Sequence, residues 1–168
     1  MKHMKYMLGL GLLFVALVPL TTIGSNKLVK FKGGIGCDPI SNVVVSGGTT
    51  TATANTVMGA SPAGQIWRIA DLDADVSIGG HIRVRGRGLL LAGGNGIGTN
   101  AGASVFATQF CGGVPSSTSA VGVALESNGD FTIDDVLSPT PSNPCGTPVL
   151  LIRSAANDHW FAAGIIED

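Results

Sequence analysis

Beyond residue 25, no stretch of this sequence repeats apolar residues at i, i+3, i+4 and i+7 for the length of a helix, so the chain carries no helical pattern to build on. Charge is equally scarce, at 12% of residues. Residues 25–168 hold eight lysines and arginines against eleven aspartates and glutamates, a net charge near −3. A mildly acidic chain with so few cations excludes bulk nucleic acid as a partner, because that binding is driven by counterion release from phosphates. Aromatic residues make up only 5%, and two tryptophans, Trp67 and Trp160, read as core rather than as a sugar-stacking platform.

The motifs of catalysis and metal binding are missing too. There is no HExxH or CxxC spacing, and past the first 25 residues the histidines are His81 and His159 alone. Ser104 or Ser154 with Asp158 could complete a nucleophile–His–acid set, but no nucleophile-elbow sequence surrounds either serine. The glycine-rich GGNGIGT (93–99) is followed by a β-like run and carries no Lys-Ser/Thr pair, so it lacks the helix N-terminus that cradles phosphate. Asp134 and Asp135 are adjacent and point to opposite faces of a strand, which does not suit a glycosidase pair. No catalytic residue, metal ligand or cofactor is assigned, and the chain is read as a non-enzyme.

What is present begins with a leader. Lys2 and Lys5 precede the uncharged run Met7–Leu20, Pro19 breaks it, and Thr22-Ile23-Gly24 supplies small residues for cleavage after Gly24. Residues 1–24 therefore read as a helical signal peptide, the only part of the chain to meet a membrane, and then only during export. An uncleaved anchor is the alternative, but the run falls short of the ~20 residues a spanning helix needs. The protein is expected to be secreted or held in the cell envelope. Outside the cytosol a disulfide is the default, and of the three cysteines the expected pair is Cys111–Cys145, each at the edge of a strand-like run. Cys37 is left over. Gly34-Ile35-Gly36-Cys37 has the small residues of a lipidation site, but Lys27, Lys30 and Lys32 separate it from the apolar run.

Short period-two runs bounded by Gly, Pro, Asn or Ser recur instead of helices. They lie at 27–36, 42–47, 65–78, 81–93, 104–110, 120–126, 130–137, 149–154 and 159–165, with the low-complexity tract TTTATANT at 49–56 and a proline-rich crossing at 138–148. Some eight strands at this spacing predict an all-β, immunoglobulin-like antiparallel β-sandwich, with a barrel as the alternative. Residues 25–60 read as a Gly/Thr-rich lead-in with one or two short strands, and 61–168 as the sandwich domain.

The stretch DLDADVSIGGHIRVRGR (71–87) is the most structured signal. Asp71, Asp73 and Asp75 share one face of a strand, as do His81, Arg83, Arg85 and Arg87 of the next. A three-residue loop, Ile78-Gly79-Gly80, places Asp75 opposite Arg83, Asp73 opposite Arg85 and Asp71 opposite Arg87, with Val76 meeting Ile82 and Ala74 meeting Val84. A two-residue loop would set charge against apolar side chains throughout, so the pattern selects the longer loop and predicts three cross-strand ion pairs. Each contributes ~0.2–1 kcal/mol, and their larger role is register. The acidic triplet is not an EF-hand, since Val76 and Ile82 stand where glycine and glutamate are required. Arg83, Arg85 and Arg87 are the candidate anion site if the acids leave them free.

The run IWRIADLDADVSIGGHIRVRGRGLLLAGGNGIGTN, with NGDFTIDDVLSPTPSNPC and PVLLIR, resembles uncharacterised secreted bacterial proteins over roughly half of residues 25–168. A looser similarity is to prealbumin-like or Ole e 1-like sandwiches, in which a cysteine-bearing strand precedes an NGDF-type hairpin and a second cysteine. These resemblances imply a fold and no activity. The leading expectation is a secreted, non-enzymatic extracellular or cell-envelope protein with a binding or structural role toward an extracellular protein or polysaccharide. The alternatives are a secreted hydrolase acting on carbohydrate or ester through His159 and a carboxylate, and a calcium- or polyanion-binding adhesion module using residues 71–87.

Overall fold

The computed structural model describes residues 26–167, and the expected signal peptide lies outside them. Among these residues every regular element is a strand: β1 (Lys27–Gly36), β2 (Ile40–Ser46), β3 (Thr49–Ala54), β4 (Trp67–Arg68), β5 (Asp71–Ser77), β6 (His81–Arg87), β7 (Leu90–Leu91), β8 (Ser104–Cys111), β9 (Val114–Ser117), β10 (Val123–Ala124), β11 (Phe131–Val136), β12 (Val149–Ser154) and β13 (Trp160–Ile166). The all-β, antiparallel class expected from the period-two runs is what the chain forms.

Nine strands make one sheet in the order β10-β8-β12-β13-β1-β5-β6-β11, with β9 also on β8. The two ends of this sheet turn toward each other. Ser117 of β9 and Ser138, just past β11, exchange backbone hydrogen bonds of 3.0 and 2.8 Å. Hydrogen bonding thus describes one nearly closed barrel rather than the two separate sheets of a sandwich. Closure turns the end strands inward on each other, so their backbone groups are not offered to solvent as a long open edge. The runs 65–78 and 81–93 each break into two strands, which raises the number above eight.

Part of the segment read as a lead-in is integral to this architecture. Its first strand, β1, lies between β13 and β5 in the middle of the sheet, burying Val29 and Phe31. The threonine tract, read as low complexity, forms β3 and pairs with β2. These two strands stand apart from the barrel as a separate sheet.

Alternation fills the barrel. Leu72, Ala74 and Val76 of β5, Ile82 and Val84 of β6, and Phe131 and Ile133 of β11 are buried, while the residues between them face outward. Gly86 continues the inward row of β6 opposite Phe131. A Cβ at Gly86 would lie 2.8 Å from Phe131 Cδ1 and closer still to Cε1 and Cζ, so the ring occupies the space that a side chain would need.

The β5–β6 loop has the three residues that parity requires, Ile78–Gly80. Gly80 takes φ +85° and its N–H donates to Ser77 O at 2.9 Å, a left-handed position that a side chain would strain. The resulting register sets Asp71 opposite Arg87, Asp73 opposite Arg85 and Asp75 opposite Arg83. At the same end of the barrel as this loop, by the register of β1, β13, β12 and β8, a disulfide joins Cys111 to Cys145, fastening the proline-rich crossing to β8.

Candidate functional site

Three regions of the surface invite a ligand or partner, and each follows from how the strands place their side chains. The first is the outer face of β1, β5, β6 and β11, where charge alternates strand by strand. Asp75 and Asp73 of β5 have Lys30 and Lys32 of β1 as register partners on one side and Arg83 and Arg85 of β6 on the other. The next strand, β11, sets Asp134 beside Arg83.

The closed contacts on this face are not the three expected within the hairpin. Among the described residues, no Asp of β5 comes within salt-bridge distance of its opposed arginine. Arg83 instead turns outward across the sheet and donates Nε–H to Asp134 Oδ2 at 2.9 Å, and His81 Nε2 lies 2.8 Å from Asp134 Oδ1. Arg83, then His81, hold the Asp134 carboxyl below its ordinary value by hydrogen bonding to its charged form. At the β1–β13 seam Lys30 Nζ reaches Glu167 Oε2 at 2.9 Å; that contact lowers Glu167 and raises Lys30. Acids bounded by lysines and arginines on both sides do not converge on a cation, and arginines bounded by acids lose most of the potential that would draw an anion.

The second region is a cleft floored by Trp67 and Phe161, stacked with ring centroids 4.1 Å apart and planes 12° from parallel. Two adjoining hollows of about 440 and 490 Å³ share these rings and Ala101. Gln65, Thr99, Asn157 and His159 supply the polar groups of the first hollow, and among the described residues no carboxylate lines either one. His159 is the one ionisable side chain among the described residues that line the cleft. Trp67 and Phe161 are 4% and 7% exposed, so the stack serves the core more than it offers a platform. Trp160 is likewise buried, and its indole N–H donates to Asn55 O at 2.8 Å.

The third region is the β2–β3 arm, whose thirteen strand residues are all exposed. Val43, Val44 and Val45 are 55%, 50% and 70% exposed, and Ile40 is 46% exposed. Its tip is the two-residue loop Gly47-Gly48 at φ +57° and +80°. The root, by contrast, is fixed. Asn55 N–H donates to Pro39 O and Asn55 Nδ2 to Asp38 O, both at 2.9 Å, while Arg68 bonds Asp38 Oδ1 at 3.0 Å. A signal for this arm exists in the sequence: two β-branched runs, NVVVS and TTTATA, flank a Gly-Gly loop, and no charged side chain occurs from Pro39 to Trp67.

Of the cysteines, Cys111 and Cys145 are paired and Cys37 is free, as their positions at the edges of strand-like runs led us to expect. Cys37 is fully buried, its N–H bonded to Phe161 O and its carbonyl to Trp67 N–H. Burial pushes its thiol up to about 11. A cysteine held in this way inside the fold offers no point for a lipid. Searches against family models, curated proteins and solved structures find no match to this chain.

Proposed function

We propose that this chain is an exported, non-enzymatic protein of the extracellular space or cell envelope that acts by contact, with the β2–β3 arm as its contact element. One observation carries the reading: a rooted arm, exposed on both faces, presents three consecutive valines and no charge. A two-stranded hairpin is marginal in water when nothing packs against it, so an arm kept this apolar is best explained by a surface that covers it. The disulfide fits a life outside the reducing cytosol. The self-neutralised charge face and the acid-free cleft give an enzyme or ion-binding reading nothing comparable.

The test is a photo-crosslinking residue placed at Val44 in the producing cell, with exposed Ser127 on the barrel as control. The expected result is a discrete adduct from Val44 and none from Ser127. Absence of any adduct from Val44, with export and localisation unchanged when 40–54 is replaced by a short Gly-Ser link, would contradict the proposal.

A further inference from the structure

We infer that the arm's partner is the arm of a second copy, joined β2 to β2 about a two-fold axis at Val44. This rests on the reading of the arm as the contact element and names its occupant.

The argument starts from the hydrogen-bond alternation of a hairpin. A two-residue loop at Gly47-Gly48 makes Ser46 and Thr49 a hydrogen-bonded pair. Bonded and non-bonded pairs then alternate, so Val44 and Asn42 point their backbone groups at β3 while Val43 and Val45 point theirs away. The outer edge of β2 thus offers the N–H and C=O of Val43 and Val45, and the outer edge of β3 those of Thr50 and Ala52. Natural sheets guard such edges with lysine, proline, bulges or cover. None of these protects β2 from Asn42 to Ser46, where the register with β3 is regular.

An open strand edge is completed by another open edge. Within the barrel the two ends of the sheet face each other, bridged at Ser117 and Ser138 and by Ser119 N–H donating to Asp135 Oδ2, whereas the arm is the open edge that stands clear of the barrel. The complementary edge on a second copy is therefore its arm. Antiparallel pairing centred on Val44 sets Val43 opposite Val45 of the second copy, a bonded pair by the same alternation, and repeats it by symmetry on the other side of the axis. Val44 meets its own counterpart. All three valines then have valine neighbours across the new pair, a favourable combination of β-branched residues. A two-residue shift either way replaces part of that contact with serine, asparagine or glycine, and joining β3 to β3 offers threonine and alanine instead. Electrostatics does not oppose the pairing, because the net negative charge of each chain lies outside the segment from Pro39 to Trp67. An isologous contact of this kind closes at two copies.

Proline scanning of the two edges tests the geometry. Val45→Pro removes an N–H that β3 does not use, so the arm can persist while the new pairing loses a donor; Thr50→Pro does the same to the β3 edge. Sedimentation of the exported protein over a concentration series is expected to give a dimer for the unsubstituted chain and for Thr50→Pro, and a monomer for Val45→Pro with an unchanged circular dichroism spectrum. Val44→Cys is expected to give a covalent dimer on mild oxidation, since non-bonded antiparallel pairs bring their side chains close. A dimer that survives Val45→Pro, or one lost with Thr50→Pro, overturns the β2 pairing. A chain that stays monomeric at its highest soluble concentration overturns the second copy as occupant. If that monomer still yields a heavier foreign adduct from Val44, the contact arm stands with a different partner; if it yields none, both readings fall.

Discussion

Substituting Gly86 by alanine should reverse the sign of its effect according to the residue at position 131. In the native barrel a Cβ at Gly86 meets three ring atoms of Phe131, which is itself 4% exposed and held by the surrounding core. The ring must leave its place or the strands must part, and overpacking of this kind costs about 1–3 kcal/mol. With Phe131 replaced by alanine the obstruction is gone, and Gly86 does not occupy the positive-φ region. Alanine at position 86 should then stabilise by about 0.4–1 kcal/mol, because it restricts the unfolded chain more than the folded one. The coupling between the two sites, the difference between these effects, is about 1.5–4 kcal/mol, well above the error of a double-mutant cycle. Urea unfolding of Gly86→Ala, Phe131→Ala, the double variant and the parent supplies the four stabilities. Equal destabilisation by Gly86→Ala in both backgrounds would refute the close approach of strand and ring as the reason for glycine at this position.

Three further outcomes follow from the same physics. Removing the Cys111–Cys145 link by a double alanine substitution frees a loop with a sequence separation of 34, which the chain-entropy relation converts to a loss of about 4 kcal/mol, readable as a lower urea midpoint; an unchanged midpoint would contradict it. Asp134 is lowered in the folded state, so its stabilising contribution is present above the unfolded value of 3.8 and lost as pH falls through the lower folded value. Stability curves of the parent and Asp134→Asn should therefore converge below that window, whereas a constant offset would exclude the Arg83 and His81 contacts as its source. Cys37, buried and with its thiol pushed up to about 11, should resist maleimide at neutral pH and react only as the protein unfolds; rapid labelling of the folded chain would place it elsewhere.

The β5–β6 hairpin was legible because its information is local and redundant. Charges of opposite sign repeat with period two on both strands, apolar residues fill the alternate positions, and glycine permits the one loop length that keeps faces consistent. The disulfide was legible from position as well. What neighbouring sequence does not carry is the identity of the next strand. Arg83 finds Asp134, 51 residues away, and Asp73 and Asp75 gain lysine partners from β1, a segment that reads as a lead-in. Barrel closure depends on Ser117 meeting Ser138, a contact with no compositional mark. The arm is a different case. Both of its strands and its Gly-Gly turn stand in the sequence, but TTTATANT reads as low complexity until paired with NVVVS, and threonine in an exposed strand has no buried face to reveal its period.

Residue-resolved amide hydrogen exchange tests the pairing of two arms most directly. Val43 and Val45 present their N–H groups away from β3, so in an isolated arm nothing protects them. If two copies pair through β2, these two amides are protected and lose that protection on dilution, as the dimer dissociates, and in Val45→Pro the remaining Val43 amide exchanges freely. Exchange of Val43 and Val45 at the unprotected rate at every concentration, with the Val44 amide protected by its bond within the hairpin, would contradict the pairing.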